Sequence, residues 1–377
     1  DSGQPIDETE KIMDAIDTTA TDPQILFVGT GTFRDPIEVS NDVSIRGNKV
    51  GIWGTSKNRD HDTFADETII SGGISVKDGG KLEIDGCVLT KEAFINLASG
   101  VDEISLRNCI ICGIEGTASK TYFLKGYSTE PTKVIVENCY FGDNPKTSSK
   151  VYNVFEMDFP LRSDSKISGN YFTKDACTHN FINIYGVVDD AVIEINDNEF
   201  EYSGSAIRLG VKGSPVCTIN INNLTYNSTD ESDDCKWAGM MIVQPYKRET
   251  ISMNGVRVNI NNVKRKDTYQ LYFVYSSPST GLLLTEENAP HVFVNGKEYP
   301  RLFNHIINGT IPETVDKSAL ETLLTKIDEN MKELEQDHLY TYQTYEALGL
   351  EYISARELID NTIATQEEVD AKIVSLQ

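Results

Sequence analysis

Few residues in this chain combine the types and spacings that chemistry needs. The strongest set is Glu156, Asn183 and Arg208, with Asp158 and Tyr185 two positions further along the first two segments. Each follows an apolar residue that begins a short strand-like run: Phe155-Glu156-Met157, Ile182-Asn183-Ile184 and Ile207-Arg208-Leu209. If those runs share a phase, alternation turns Glu156, Asn183 and Arg208 outward as an exposed ladder, with neighbours about 4.8 Å apart. Acid, amide, guanidinium and aromatic ring are the groups that hydrogen-bond to and stack on a neutral glycan. The competing reading is a solvated ladder in which Glu156 and Arg208 offset each other's charge.

Other candidates carry less. Asp189-Asp190 is a carboxylate pair between two strand-like runs, where a turn accounts for it. Cys109 and Cys112 have CxxC spacing without a second pair or a suitably spaced His, so a metal or redox centre lacks its remaining ligands. Cys177 and His179 are near in sequence, but the five histidines form no cluster, and His179 reads as a surface residue. No catalytic residue, metal ligand or cofactor is assigned on this basis, and Ca²⁺ enters only as an alternative.

The elements that must position these residues form a repeat. A short apolar segment, a polar corner and a second apolar pair recur as Ile84-Asp85-Gly86-Cys87-Val88-Leu89, Leu106-Arg107-Asn108-Cys109-Ile110-Ile111 and Val136-Glu137-Asn138-Cys139-Tyr140-Phe141. They continue from Ile167, Ile195, Ile221 and Ile260, at spacings of 22, 30, 31, 28, 26 and 39 residues. Gly, Asn and Asp at the corner suit the tight or left-handed backbone of a sharp turn. Each interval holds a further apolar run, such as Phe94-Ile95-Asn96-Leu97 or Phe181-Ile182-Asn183-Ile184. The segments are too short for buried helices and lack helical periodicity. A mainly β fold, a right-handed parallel β-helix of at least seven coils between residues 35 and 275, is expected.

Cys87, Cys109 and Cys139 hold one position in three consecutive repeats, with Asn170 and Asn198 next in line. Stacked thiols acting as small apolar fillers, without a disulfide, follow from that phase. Residues 7–17 place Ile12, Met13, Ala15 and Ile16 on one helical face that can close the first end, and Val292–Tyr299 around Asn295-Gly296 reads as a hairpin at the other.

The stretch Ile25-Leu26-Phe27-Val28-Gly29-Thr30-Gly31-Thr32-Phe33, through Pro36-Ile37-Glu38-Val39 to Val43-Ser44-Ile45-Arg46-Gly47, resembles the first coil of pectin-lyase-like β-helix proteins. That resemblance, over roughly residues 5–305, implies the fold and an extracellular setting; since lyases, hydrolases, adhesins and phage fibres share the fold, it implies an activity only weakly. Pectate lyases and polygalacturonase-like enzymes of this fold use Ca²⁺-binding acids with an Arg, or several Asp with a His and an Arg-x-Lys, and neither set is found in this sequence.

From about Glu313 the pattern turns helical, with Leu320, Leu323, Leu324, Ile327, Met331 and Leu334 on one face. A second helix carries Tyr345, Leu348, Tyr352, Ala355 and Ile359, and a third begins at Thr365 with capping-box spacing to Glu368. Asp316-Lys317-Ser318-Ala319-Leu320, Tyr340-Thr341 and Ala364-Thr365-Gln366-Glu367-Glu368-Val369-Asp370 resemble a FIVAR domain, a module of Gram-positive surface proteins, with Tyr345 where the family often has Trp. Two domains are therefore expected, residues 1–312 and 313–377, the second a small α-helical bundle that ends near its last helix as if cut from a longer surface protein.

Thirty-four basic against fifty-eight acidic residues give a net charge of −24, which disfavours nucleic acid, anionic lipid and polyuronate partners. No run is long and apolar enough for a membrane span, and no signal-peptide pattern opens the chain. The combined expectation is a secreted or cell-surface protein of a Gram-positive-type bacterium, a non-enzymatic adhesion or glycan-binding module engaging a neutral glycan or a host or cell-wall surface. A polysaccharide lyase or glycoside hydrolase with a divergent site is the alternative, and a phage fibre protein the second.

Overall fold

The computed structural model describes the chain except residues 1–4, 7–9, 116–120, 144–150, 202–204, 228–238, 245–251, 266–269, 275–283, 300, 302–316, 338–347, 349–350, 357, 360–365 and 377. Two compact units divide it. Asp1–Leu302 with Ile307–Gly309 form the first, and Phe303–Ile306 with Thr310–Gln377 the second.

The first unit consists of three long sheets, of eleven, nine and nine strands among the described residues. The chain visits them in rotation and returns each time one strand further on. Strands Gln24–Phe27, Asp42–Arg46, Lys81–Asp85 and Glu103–Arg107 are thus consecutive neighbours in the first sheet. Among the described residues every pairing between successive circuits is parallel, and the one antiparallel pair joins His291–Val294 to Lys297–Glu298 across Asn295-Gly296. Asn295 and Gly296 both have positive φ, 47° and 80°, as a two-residue hairpin turn requires. Repeated parallel circuits of this kind are consistent with a β-helix-like solenoid.

The corner between first and second sheets explains the Gly/Asn/Asp preference. Gly86, Asn108, Asn138, Gly169, Asp197, Asn223 and Asn262 all lie at φ between 52° and 70°, the left-handed region that these types enter at least cost. The residue after the corner turns inward. Cys87, Cys109 and Cys139 are free, buried thiols. Cys109 Sγ approaches the Ile84 carbonyl at 3.5 Å and Cys139 Sγ the Leu106 carbonyl at 3.6 Å, each reaching back one circuit. Burial pushes the Cys87 and Cys139 thiols well above their ordinary pKa.

Where Asn replaces Cys, the reach becomes a hydrogen-bond ladder. Asn170 Oδ1 accepts from the Cys139 amide at 2.9 Å, while its Nδ2 donates to the Val136 carbonyl at 3.0 Å and to Asn198 Oδ1 at 2.9 Å. A second ladder runs outside: Asn222 donates to Asn196, and Asn261 to Asn222, each at 2.9 Å.

Between the sheets the core is aliphatic, with an aromatic block in its middle circuits. Phe141 stacks on Phe172 at 4.5 Å and Phe172 on Phe200 at 4.9 Å, with Phe155 and Phe181 edging or stacking on them. At the first end, a four-residue 3₁₀ helix, Ile12–Ala15, stands where a longer helix was expected. With three residues per turn it buries Ile12 and Ile16 and leaves Ala15 exposed; residues 7–9 lie outside the described set.

In the second unit, helices Ser318–Asp337 and Gln366–Leu376 and the helical residues 351–356 meet at Leu320, Leu324, Ala355 and Val369. Lys317 Nζ donates to the carbonyls of Leu358 and Ile359 at 3.1 and 2.8 Å, satisfying backbone acceptors. Tyr345, Thr365 and the side chains of Met331 and Leu334 lie outside the described residues.

The inner ladder yields a stability prediction. Asn170→Ala leaves the buried Cys139 amide and Val136 carbonyl without this partner and should destabilise the first unit by about 3 kcal/mol, against at most about 1 kcal/mol for Asn222→Ala on the half-exposed outer ladder. Urea unfolding followed by tryptophan fluorescence measures both; equal effects would refute the difference assigned to burial.

Candidate functional site

The third sheet places the ladder residues in register. Lys125 pairs with Glu156, Glu156 with Asn183, and Asn183 with Arg208 on four successive strands. Phe155 sits in the aromatic core, against Phe141 at 5.4 Å, so alternation turns Glu156 to the outer face.

That face is not the open strip that alternation alone suggests. Glu156 is 7% exposed, Asp158 8%, Asn183 0% and Tyr185 1%, and of the five only Arg208 is half-buried. The reason is crowding from longer side chains on adjoining segments. The strand Val151–Leu161 runs eleven residues, so its start brings Tyr152 and Asn153 over the ladder. Tyr122 and Tyr127 lie on the strand Thr121–Tyr127. Tyr122 meets Tyr152 edge-on at 6.1 Å, and Tyr152 packs on His179 at 3.7 Å.

Glu156 is held from two sides: Oε2 accepts from Asn153 Nδ2 and from Asn183 Nδ2, both at 2.8 Å. Burial raises its pKa above the ordinary carboxyl value, against the opposing pull of Asn183, Asn153 and Arg208. Lys212 Nζ lies 2.5 Å from Asp158 Oδ1, and the Arg208 guanidinium lies 5.4 Å from the centre of the Tyr185 ring. Asn183 Oδ1 and Arg208 Nε are buried without a hydrogen-bond partner among the described residues.

The cluster thus has a floor and a rim. Glu156, Asn183, Asp158 and Tyr185 form a fixed polar floor, whereas Arg208, Lys125, Lys212, Tyr122, Tyr127 and Tyr152 reach solvent. Tyrosine rings beside the cationic donors Arg208, Lys125 and Lys212 can pack on the C–H face of a sugar and hydrogen-bond its hydroxyls. The rim tyrosines and Lys212 carry no repeat signal of their own. Only the length of the run ahead of Phe155 and the Gly210-Val211-Lys212-Gly213 turn could have indicated them.

The other sequence candidates resolve into structural roles. Asp189 Oδ1 accepts from the Val216 amide at 2.9 Å and Asp190 has φ 59°, a turn held to the next circuit. Cys109 faces inward, whereas Cys112 packs outside with Val88 and Ile110, so alternation and a register shift in that strand separate the CxxC pair. Cys177 is buried with its pKa pushed up to about 12 by desolvation, far from a thiolate nucleophile at neutral pH. Exposed His179 stacks on Tyr152. Among the described residues no group of three or more His, Cys, Asp and Glu is placed to hold a metal ion, and no helix is long and apolar enough to cross a membrane.

No protein-family model, curated protein or solved structure matches the chain.

The raised pKa of Glu156 fixes the sign of a pH effect. The folded chain keeps this proton to higher pH than the unfolded one, so the group's contribution is full below the ordinary carboxyl value and is lost as pH rises through the raised one. The melting temperature of Glu156→Gln minus that of the native sequence should therefore increase between about pH 4 and pH 7. A flat or falling difference would contradict the assignment.

Proposed function

We propose that this chain is a non-enzymatic extracellular or cell-surface protein that binds glycan. In this reading its first unit is a right-handed parallel β-helix of the pectin-lyase-like kind, and its second a FIVAR-like helical module that extends it. One observation carries the proposal: a half-buried arginine, Arg208, stands over Tyr185 beside a carboxylate fixed by two amides, within a rim of tyrosines. Such a surface offers a sugar both an apolar contact and directional hydrogen bonds. Locally the charges nearly balance, with Lys125, Arg208 and Lys212 against Glu156 and Asp158, although the whole chain carries −24. A neutral glycan is the ligand that meets neither penalty.

A divergent lyase or hydrolase is the second reading, favoured by one feature, the raised pKa of Glu156, which a general acid requires. The two part on product. Incubation with a polysaccharide panel, scored for binding and for new reducing or unsaturated ends, should give binding without cleavage; cleavage would sink the non-enzymatic reading. Arg208→Ala should weaken binding about tenfold, as expected for losing a charge-assisted hydrogen bond, while leaving the melting temperature nearly unchanged. Unaltered binding would remove the cluster from the proposal.

A further inference from the structure

A second concavity lies on the outer face of the second sheet and uses none of the residues above. The segment between Asp42–Arg46 and Thr68–Ile70 does not run directly to the next strand; residues 48–67 fold over the sheet instead. Phe64 from this loop packs with Ile69 and Tyr140 against Val88, Ile110 and Cys112.

The loop is fixed at several points. Arg59 and Glu67 form a buried bidentate pair, at 2.6 and 2.8 Å, and Arg59 Nη1 also donates to the carbonyls of Ile52 and Asn108 at 2.9 and 2.8 Å. The Gly54 amide donates to the Asn138 carbonyl at 2.8 Å. Asp60 accepts from the amides of Asp62, Thr63 and Ala65 and from the Thr63 hydroxyl, and these bonds hold its pKa far below the ordinary value. His61 Nε2 meets the Gly54 carbonyl at 2.7 Å, which requires its proton on that nitrogen. A loop tied down in this way is a wall built before any ligand arrives.

Between the wall and the sheet is an open cavity of about 440 Å³, within the range of small-ligand sites. One side is a ring stack, His61 on Tyr140 at 4.2 Å and Tyr140 on Tyr171 at 5.7 Å, nearly parallel. Its acidic and lysine side chains are Asp143, Glu201 and Lys174, with the hydroxyls of Thr55 and Thr173 beside them. Glu201 accepts from the Tyr171 hydroxyl, and Asp143 Oδ1 from Thr173 at 3.1 Å, so each carboxylate is oriented and keeps acceptor capacity.

We infer that this cavity is a binding site for a short neutral saccharide of one or two rings. The charges choose the class. An anionic ligand meets two carboxylates against one lysine, and a cationic one cannot use Lys174, whereas a neutral polyol uses all three groups. A hydroxyl both donates to Asp143 or Glu201 and accepts from Lys174, while the sugar's C–H groups pack along the edges of the stacked rings. Chemistry is shared with the glycan reading above, but the residues are different, so either can fail alone.

The test is calorimetric titration of the full chain with cellobiose, maltose, lactose and chitobiose, with glucosamine and glucuronate as charged controls. At least one neutral disaccharide should still bind when Arg208→Ala has disabled the first cluster, and in that background its affinity should fall about tenfold on adding Lys174→Ala or Glu201→Ala. Lys174 is exposed, so Lys174→Ala should keep the fold, which an unchanged melting temperature checks. Absence of binding to all four disaccharides would overturn the inference. So would tighter binding of either charged sugar, an affinity that Lys174→Ala leaves unchanged in the Arg208→Ala background, or loss of all disaccharide binding on Arg208→Ala alone.

Discussion

Everything in the first unit depends on one constraint: from circuit to circuit the described strands pair parallel, and in register except for shifts in three of the pairings. In-register parallel pairing sets each side chain beside its counterpart at about 4.8 Å, so a position must suit its own repetition. An apolar position repeats cheaply. A polar position repeats only if the residue can donate and accept along the stack, which Asn does and Asp or Lys does not. Hence Asn170 donates to Asn198 inside, and Asn196, Asn222 and Asn261 follow one another outside. The row Asp85, Arg107 and Glu137 alternates in sign instead, and Glu83 and Lys166 of the neighbouring row join it through ion pairs to Arg107 and Glu137.

The same constraint separates what could be read from the sequence and what could not. The corners were legible because a left-handed backbone restricts the residue type locally: Asn108, Asn138 and Asn223 announce the turn without reference to anything distant. The pairing of Glu156 with Asn183 and of Asn183 with Arg208 was legible because strand phase is also local, provided no residue is inserted. Burial on the outer face was not. Whether an outward side chain meets solvent depends on what the intervals between strands do, and those have no fixed length. Tyr152 arises from an extended strand start and Lys212 from a Gly-rich turn, and neither has a counterpart in other circuits. The loop of residues 48–67 is the extreme case, since its place is set by the Arg59–Glu67 pair, eight residues apart and invisible as a periodic signal.

That buried pair also shows how a non-repeating insertion is held on a repeating scaffold. A charged pair removed from water is a poor source of net stability, because desolvation offsets most of the attraction. Its value lies in specificity. Arg59 spends three nitrogens on four acceptors, two of them backbone carbonyls at Ile52 and Asn108, so one arrangement of the loop satisfies all of them. The corner residue Asn108 is thereby both a turn in the repeat and an anchor for the insertion.

Period-two alternation then links the core to both outer sites. Phe155 points inward beside Glu156, Phe141 beside Tyr140 and Phe172 beside Tyr171, so the inner aromatic block and the outer polar groups share the same strands. Phe141, Phe155 and Phe172 contact one another across the interior at 4.5 to 6.2 Å. Large rings packed to this density move little. A recognition surface needs side chains that keep their spacing when solvent is displaced, and strands braced from behind by interlocked rings supply it at lower entropic cost than mobile loops do. The middle circuits are therefore where this fold can best hold outward side chains in place, and both candidate clusters lie there, on two of its three sheets.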